Sequence, residues 1–346
     1  MAEDFQIVDP VKHDGWDSLL LASGDTDVFH TAAWARVLGE CYGYEPCYLV
    51  RQKADRLESL LPLMEVRSWL TGRRGVSLPF SDECGPFCPD ADTAQALVGA
   101  ARELGSARHW RYLELRGGAR LTPEMRPSLS HFAHVLDLSV GEERLHGGLN
   151  GATRTAIRKA AREAVTVRVE TTLESLRSFY RLNCLTRRMH GLPPQSWTFF
   201  QKVHDHILCK NLGMVALAEW QRQPIAGAVC FHFGPRAVYK YAASDRRHQS
   251  LNGNNLVLWE VIRWYAARGA ATLALGRTER EHEGLRRFKL GWGAREYVLE
   301  YFKYDFRRRA FVEDRSRVSG WHNRLFRQMP IPVARAAGAL LYRHMA

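Results

Sequence analysis

Hydrophobic and polar residues alternate along the first part of the chain with the periods of strands and helices. A period of two predicts strands at residues 5–9, 47–52, 57–67, 110–116 and 131–138. A helical stripe predicts helices at 30–40 and 92–105, and Gly105 is the expected C-cap of the second. Residues 71–90 combine glycine, proline and charged residues, so they are predicted as a turn-rich loop.

The second part of the chain repeats this order about 150 residues later. Helices are predicted at 150–163, with Asn150 as N-cap, and at 172–189, 196–209 and 254–268. Strands are predicted at 165–170, 214–220, 225–233, 237–244, 271–276 and 297–304. The repetition predicts a duplicated α+β (mixed α/β) fold.

Three segments follow from this pattern. A first domain is expected at 1–145 and a second at 146–310, with the hinge near the glycines of 139–150. The tail 311–346 is predicted as a basic, amphipathic helical segment that prolines interrupt. It would either lie on an anionic bilayer or pack against the body of the protein.

Composition adds limits on partners and location. The 346 residues suit about two domains, and the formal net charge of +12 suits polyanionic partners. No long apolar run predicts a transmembrane helix, and the N-terminal segment lacks the pattern of a secretory signal. We therefore expect a cytoplasmic protein with reduced thiols. No metal is expected, since Cys84 and Cys88 lack a second ligand pair at zinc spacing.

The strongly apolar helix after strand 237–244 begins with Asn252, Gly253 and Asn254. A helix start offers backbone N–H groups to phosphates, so these residues are predicted to bind the phosphates of a donor. The alternative is that they only cap the helix.

Positive charge also follows strand 271–276. Arg277 and Thr278 come directly after it, and a short helix then places Phe288 and Lys289 ahead of Trp292. Two cations near the open ends of strands could hold a phosphate or a developing oxyanion. The alternative is that both are solvated surface charges and that Trp292 belongs to the core.

In order and spacing, these motifs resemble the Fem family of tandem-GNAT peptidoglycan-bridge aminoacyl transferases. They are most similar to its FemAB-like, CelD-type relatives found with exopolysaccharide loci. The resemblance runs from about residue 29 to 304. Its motifs are the segments 29–36, 78–86, 179–194, 276–278, 284–289 and 292–294.

The resemblance implies two GNAT units and transfer of an acyl or aminoacyl group to an amine. The implied acceptor is a glycan or muropeptide precursor, free or lipid-linked. Lys289, Phe288 and Arg277 are assigned to catalysis on this basis. The substrate-binding set is assigned as Trp34, Arg36, Asp82, Arg188 and Tyr239.

Several alternatives stay open. No inserted helical arm is visible between 150 and 310, and only Gly253 fits the usual pyrophosphate motif, so the donor is either acyl-CoA or aminoacyl-tRNA. A Fem-type tRNA-dependent ligase is one rival function, with Arg154, Arg158 and Arg162 as a candidate RNA track. A degenerate GNAT pair that only binds an anionic glycan or nucleic acid is the other. Candidate general bases are Asp82, Asp245, Glu279, His190 and His248.

Overall fold

A computed structural model describes residues 5–24, 26–53, 56–118, 125–313 and 321–345. The connection between the predicted strands 47–52 and 57–67 and the start of the tail lie partly outside these ranges. The strands are β1 Gln6–Val8, β2 Glu45–Pro46, β3 Tyr48–Lys53, β4 Arg56–Leu61, β5 Met64–Ser68, β6 Gly72–Val76, β7 Tyr112–Arg116, β8 Pro127–Asp137, β9 Thr166–Glu170, β10 Gly213–Trp220, β11 Gln223–Phe233, β12 Arg236–Ser244, β13 Thr272–Glu279, β14 Arg295–Asp305 and β15 Ala310–Phe311. The helices are α1 Trp16–Ser23, α2 Ala32–Tyr42, α3 Ala91–Ala107, α4 Glu142–Gly148, α5 Gly151–Arg162, α6 Leu173–Met189, α7 Trp197–His206, α8 Gly253–Ala266, α9 Glu283–Leu290, α10 Trp321–Gln328 and α11 Ile331–Leu341.

Contacts divide the described residues into two compact units. Unit 1 lies within Met1–Phe132, Val298–Ser316 and Tyr342–Ala346, and unit 2 within Ala133–Tyr297 and Arg317–Leu341. Strands β8 and β14 contribute residues to both units, so these limits differ from 145/146 and 310/311. The division of the chain into domains at those predicted positions stays a prediction.

Unit 1 contains two sheets. One has the order β1-β3-β4, and the other has the order β2-β5-β6-β7-β14, with β15 on β14. The helix α3 connects β6 to β7, which pair in parallel from Arg74↔Tyr112 to Val76↔Glu114. Its core contains Leu97 and Leu113.

Unit 2 has the strand order β8-β13-β12-β11-β10-β9. The strands β10 and β11 are buried on both faces, because successive residues face different helices. Met214 packs into the cluster that α8 covers, whereas Leu217 lies close to Gly227 and Phe179 of α6 on the other side. The helix α8 connects β12 to β13, which also pair in parallel.

The same plan therefore occurs in each unit: an antiparallel pair, a helix, and a third strand parallel to the second. This is the mixed α/β arrangement that the repeated sequence pattern predicts.

Four predictions need correction. Segment 57–67 is two strands, β4 and β5, and the turn-rich stretch 71–90 contains strand β6. Its Gly75 sits against the ring of Trp110, where a Cβ atom would come within 2.1 Å, so glycine serves packing there. Gly105 does not cap α3, which continues to Ala107. It makes room for the rings of Phe306 and Trp110. The predicted hinge 139–150 contains helix α4.

The tail forms α10 and α11, and Pro330 lies between them. The helix α11 packs closely in unit 2, since a Cβ atom on Gly338 would lie 1.9 Å from the carbonyl of Pro194. Within the residues that the structure describes, no helix is long and apolar enough to cross a membrane.

Candidate active site

The strands β12 and β13 separate part of the way along unit 2. Their parallel pairing runs from Arg236↔Thr272 to Val238↔Ala274, although β12 continues to Ser244 and β13 to Glu279. The register between β11 and β12 shifts at the same level, where Cys230 lies opposite Tyr239 and Val229 opposite Tyr241. This bulge at residue 240 bends β12 away from its neighbour. We call the opening between residues 239–244 and 275–279 the wedge.

Helix α8 begins close to the end of β12. Asn252 precedes it in a left-handed conformation with φ 54°, and its side chain makes no capping hydrogen bond. The Asn254 amide instead donates from Nδ2 to Ser244 Oγ at 3.1 Å. Its Oδ1 is buried and has no hydrogen-bond partner among the described residues. Capping by the Asn252 side chain is therefore not what this structure shows, and the helix start is held against the open part of β12.

Gly253 fixes how closely this helix start approaches the sheet. A Cβ atom at this position would lie 3.2 Å from Ala226 and Ile225 of β11, which is tighter than ordinary contact. Glycine therefore brings the first turn of α8 onto the sheet.

Lys289 is buried at 6% exposure and bonds to the strand β13. Its Nζ donates to the carbonyls of Gly276 at 2.8 Å and Arg277 at 3.0 Å. Gly276 has a φ of 71°, which turns its carbonyl out of the alternation of the preceding strand. Lys289 is therefore not the solvated surface charge of the alternative interpretation, because it connects α9 to the wedge strand in the interior. Arg277 itself is exposed.

The turn after α9 holds this helix in place. Trp292 is buried at 1% exposure and makes an edge contact with Phe288, with ring centroids 6.0 Å apart. The backbone N–H of Asn150 donates to the Gly291 carbonyl at 2.9 Å. A Cβ atom on Gly291 would meet the Asn150 amide at 2.7 Å, so the motif Gly-Trp-Gly is a close-packed junction.

Sequence comparison assigns a family to this part of the chain. Residues 151–299 match the model of the acetyltransferase (GNAT) domain. We call the matched segment, residues 151–299, the GNAT domain. The match covers the wedge, the start of α8 and the Lys289 contacts. It confirms the predicted fold class and the predicted class of enzyme, an acyltransferase.

Solved structures share the fold over a longer stretch. FemX superposes with a TM-score of 0.65 at 14% identity, over 84% of this chain and 95% of FemX. L-PGS from Bacillus licheniformis has a TM-score of 0.55 at 14% identity, over 88% and 94%. The C-terminal domain of a putative lysylphosphatidylglycerol synthetase from Agrobacterium fabrum has a TM-score of 0.53 at 12% identity, over 78% and 86%. At these identities the similarity establishes the fold alone, and it confirms the Fem-like resemblance at that level. None of the curated proteins compared with the chain matches it.

A buried histidine beside the GNAT domain was not among the predicted site residues. The His134 side chain on β8 is fully buried, and its Nε2 donates to Glu296 Oε2 at 3.0 Å. Arg286 binds the same carboxylate through two hydrogen bonds of 2.8 Å. Burial lowers the pKa of His134, the charge of Lys289 lowers it further, and the bond to Glu296 opposes them only in part. A neutral imidazole therefore lies beside Lys289, and its Nδ1 finds no hydrogen-bond partner in the described ranges.

The sequence does contain a signal for this residue. His131 and His134 are three apart in an alternating strand, so they must face opposite sides of the sheet. At least one of them had to point to a packed face.

The remaining predicted residues of unit 2 lie in different surroundings. Tyr239 stands at the bulge of the wedge and packs on the core, and burial raises its pKa well above the ordinary value. Arg188 is half-buried in the last turn of α6. Asp245 caps the turn before α8 and bonds Arg247, which holds its pKa below the usual range, so it is engaged structurally. Glu279 ends β13, on the wedge itself, and its side chain is exposed.

The other predicted residues belong to unit 1. Trp34 is fully buried and contacts Phe29 with ring centroids 5.2 Å apart, so its contacts are those of a core residue. Arg36 is exposed on α2, and Asp82 is half-buried with its carbonyl accepting from the Tyr301 hydroxyl. Their roles in binding substrate stay predictions.

Unit 1 has no wedge equivalent to that of the GNAT domain in its described residues. After Val76 the chain leaves β6, and a loop bonds to the edge of β7 instead. Ser77 donates from its N–H to the Glu114 carbonyl at 2.8 Å and accepts at Oγ from the Arg116 N–H at 2.7 Å. The backbone N–H of Cys84 donates to the Arg116 carbonyl at 2.7 Å. The loop therefore occupies the strand edge that is left open in unit 2.

No group of three or more His, Cys, Asp or Glu residues in the described part of the chain is arranged to hold a metal ion. That no metal takes part in the reaction stays a prediction.

Proposed function

We propose that this protein is an N-acyltransferase that holds its acyl donor in the wedge and transfers the acyl group to an amine of a cell-envelope or exopolysaccharide precursor. The wedge, with the start of α8 beside it, carries this proposal. An extended donor can lie along the open edge of β12, while the N–H groups of the first turn of α8 face its phosphates.

The transfer breaks the bond between the acyl carbon and the donor and forms a bond to the acceptor nitrogen. The neutral amine attacks the carbonyl carbon, a tetrahedral oxyanion forms, and the donor's thiol or hydroxyl leaves. One proton must pass from the amine to a base or to the leaving group. Arg277, exposed on the wedge strand, supplies positive charge for the oxyanion, and Lys289 and Phe288 hold this end of the site in shape.

We assign the proton acceptor to Glu279. Of the five predicted bases it alone lies on a strand of the wedge, and its carboxylate makes no ion pair with the residues that the structure describes.

The acceptor is a phosphate-bearing glycan or muropeptide precursor. Arg36, Arg188, Trp34, Asp82 and Tyr239 are proposed to bind it. Exposed Arg36 makes no ion pair in the described ranges, and the net charge of +12 favours an anionic acceptor. One structural neighbour is named as a lysylphosphatidylglycerol synthetase, which is consistent with a membrane-associated acceptor.

A second candidate function uses aminoacyl-tRNA as the donor. Helix α5 presents Arg154, Arg158 and Arg162, and none of them has an ion-pair partner among the described side chains. Such a basic face fits an RNA backbone.

Donor binding by thermal shift distinguishes the two. Acetyl-CoA, longer acyl-CoAs, free CoA and charged and uncharged tRNA are compared. A ligand at 100 times its Kd adds about 2.7 kcal/mol of stability. A shift with CoA thioesters supports the acyl-CoA enzyme. A shift with charged tRNA alone, abolished in Arg158→Glu, supports the ligase. If no donor shifts the melting temperature and none supports turnover, the proposed function is wrong.

Gly253→Ala tests whether the donor lies at the start of α8. The added methyl group displaces the helix start and is expected to weaken donor binding at least fivefold. Gly99→Ala in α3, which has open space around its Cβ position, is the matched control.

We also propose a cytoplasmic location and peripheral contact with the membrane through the tail. Its exposed apolar side chains Leu325, Val333 and Leu340 stand among arginines. Leu340→Ser is expected to weaken binding to anionic vesicles, and unchanged binding would argue against the tail.

A further inference from the structure

The hairpin of β5 and β6 in unit 1 ends in two exposed apolar residues. Trp69 is 84% exposed and Leu70 is 50% exposed. A tryptophan side chain usually contributes much apolar surface to a core, so such exposure at a hairpin tip indicates a surface made for a partner.

This tip is held firmly. The Thr71 N–H donates to Ser68 Oγ at 3.0 Å, and Arg111 donates to the Thr71 carbonyl at 3.1 Å. Arg74 donates to the Thr71 hydroxyl and to the His344 carbonyl. His344 also bonds Ser68 Oγ through Nδ1 at 2.9 Å. The turn is therefore anchored on both sides.

The rings of Trp69 and His344 make an edge contact, with ring centroids 5.5 Å apart and an angle of 81° between the ring planes. Met345, which follows His344, is also 52% exposed. The structure thus presents apolar side chains on a preformed support, which reduces the ordering cost of binding.

Positive charge surrounds the apolar tip. Arg73, Arg111 and Arg343 are exposed, and none of them forms an ion pair with a carboxylate in the described part of the chain. Arg73 also lies directly opposite Arg67 in the ladder, an arrangement of like charges that costs stability. Arg67 is neutralised by Glu45 and Glu65 at 2.8 and 2.6 Å, whereas Arg73 is left with its charge.

We propose that this hairpin tip, formed by Trp69, Leu70 and the arginines 73, 111 and 343, docks on an anionic lipid bilayer. Tryptophan favours the interface between headgroups and acyl chains, leucine enters the apolar side of it, and guanidinium groups bind anionic headgroups. A single ring flanked by aliphatic side chains suits a lipid surface better than RNA, which stacks its bases on a row of rings. The proposal goes beyond the proposed reaction and does not depend on it.

Vesicle co-sedimentation of the full chain tests this proposal. Vesicles of phosphatidylcholine with 30% phosphatidylglycerol, a composition chosen as roughly that of an anionic membrane, are compared with phosphatidylcholine alone. Trp69→Ser is expected to weaken binding to the anionic vesicles about tenfold. Arg73→Gln is expected to weaken it about fivefold on anionic vesicles and hardly at all on neutral ones. Leu21→Ser, at a position of α1 that is 53% exposed in the same unit, is the matched control and keeps full binding.

The outcomes separate clearly. The proposal would be overturned if Trp69→Ser and Arg73→Gln bound the anionic vesicles as well as the wild type does. It would also be overturned if Leu340→Ser, in the tail, were the one variant of the three that lost binding. Loss of tRNA binding in Trp69→Ser with unchanged vesicle binding would also overturn it and assign the tip to RNA. Turnover with a water-soluble amine acceptor, measured in parallel, is expected to be unchanged in Trp69→Ser. Failure of the acyltransferase assay in the wild type would reject only the proposed function.

Discussion

Lys289 brings a positive charge into the interior of unit 2, where the carbonyls of Gly276 and Arg277 receive it. Replacement by alanine leaves both carbonyls without this donor. We expect Lys289→Ala to lower the free energy of unfolding by about 3 kcal/mol, the order found for hydrogen bonds to charged groups, and to lose most turnover. Urea denaturation and kcat measure the two effects. Arg287→Ala, at an exposed position of the same helix, is the control.

Lys289 could contribute to the reaction, to the stability of the fold, or to both, and its variants distinguish these roles. Full turnover in a folded Lys289→Ala protein would contradict any role in the reaction. Lys289→Arg keeps the charge but changes the geometry of the donors, so it is expected to recover part of the stability and little of the rate.

Glu279 is exposed at the end of the wedge strand. If it accepts the proton, Glu279→Gln should lower kcat by about a hundredfold or more and flatten the acidic limb of the pH–rate profile. Glu281→Gln, two residues further on and also exposed, should leave both unchanged. Equal rates in the two variants would remove Glu279 from the mechanism.

The protonation of His134 makes the free energy of unfolding depend on pH. Its pKa is lowered in the folded protein by burial and by Lys289, so the unfolded chain binds a proton more readily. The contribution of His134 to stability is therefore full above its unfolded pKa of about 6.5 and decreases as the pH falls below that value.

We expect the wild type to lose stability between pH 7.5 and 5.5 and His134→Gln to lose less, as measured by chemical denaturation at each pH. His146→Gln controls for replacing a half-buried histidine elsewhere in unit 2. Parallel pH curves for wild type and His134→Gln would contradict this role.

At the scale of elements, the sequence predicts most helices and strands where periodicity is strong. Helix α6 begins after Thr172 and ends at Met189, as its stripe indicates. Strand β6 was missed because its sequence, Gly-Arg-Arg-Gly-Val, contains a glycine required by Trp110 and arginines in place of an alternating apolar face. Contacts with residues distant in the chain cannot be read from local pattern.

For the candidate site, the sequence predicted where residues lie relative to strands and helices but not what they contact. Spacing located Lys289 and Gly253 near strand ends and a helix start, and both belong to the GNAT domain. It could not show that Lys289 would be buried on carbonyls, or that Asp245 would be occupied by Arg247. Those outcomes depend on tertiary neighbours.

In strand β13, the position of the carbonyl that accepts from Lys289 depends on the backbone conformation of Gly276. Its φ of 71° is costly for any residue with a Cβ atom. Gly276→Ala is expected to destabilise the protein by about 1–2 kcal/mol and to weaken donor binding, because it disturbs the carbonyl that Lys289 holds.

Gly284→Ala serves as the control for Gly276→Ala. This glycine lies in α9 with open space around its Cβ position, so alanine there should stabilise slightly. Loss of stability in both variants to the same extent would contradict the special role of Gly276. Unfolding free energies and thermal shift with the bound donor measure these effects.

At the scale of the whole molecule, each unit contains the same sequence of strands with one parallel pair after a helix. The matched family model covers only the second of them, residues 151–299. Under the proposed function, the first unit, which carries Arg36 and Asp82, would hold the acceptor, and the second would hold the donor.

The loop that bonds to β7 in unit 1 has a consequence for stoichiometry. Ser77 and Cys84 already occupy the strand edge that corresponds to the open part of the wedge. Titration calorimetry should therefore find one equivalent of donor per chain, not two, despite the duplicated fold. Gly253→Ala should weaken this single binding event as a whole. With two donor sites, it would instead remove about half of the total heat and leave the other half unchanged.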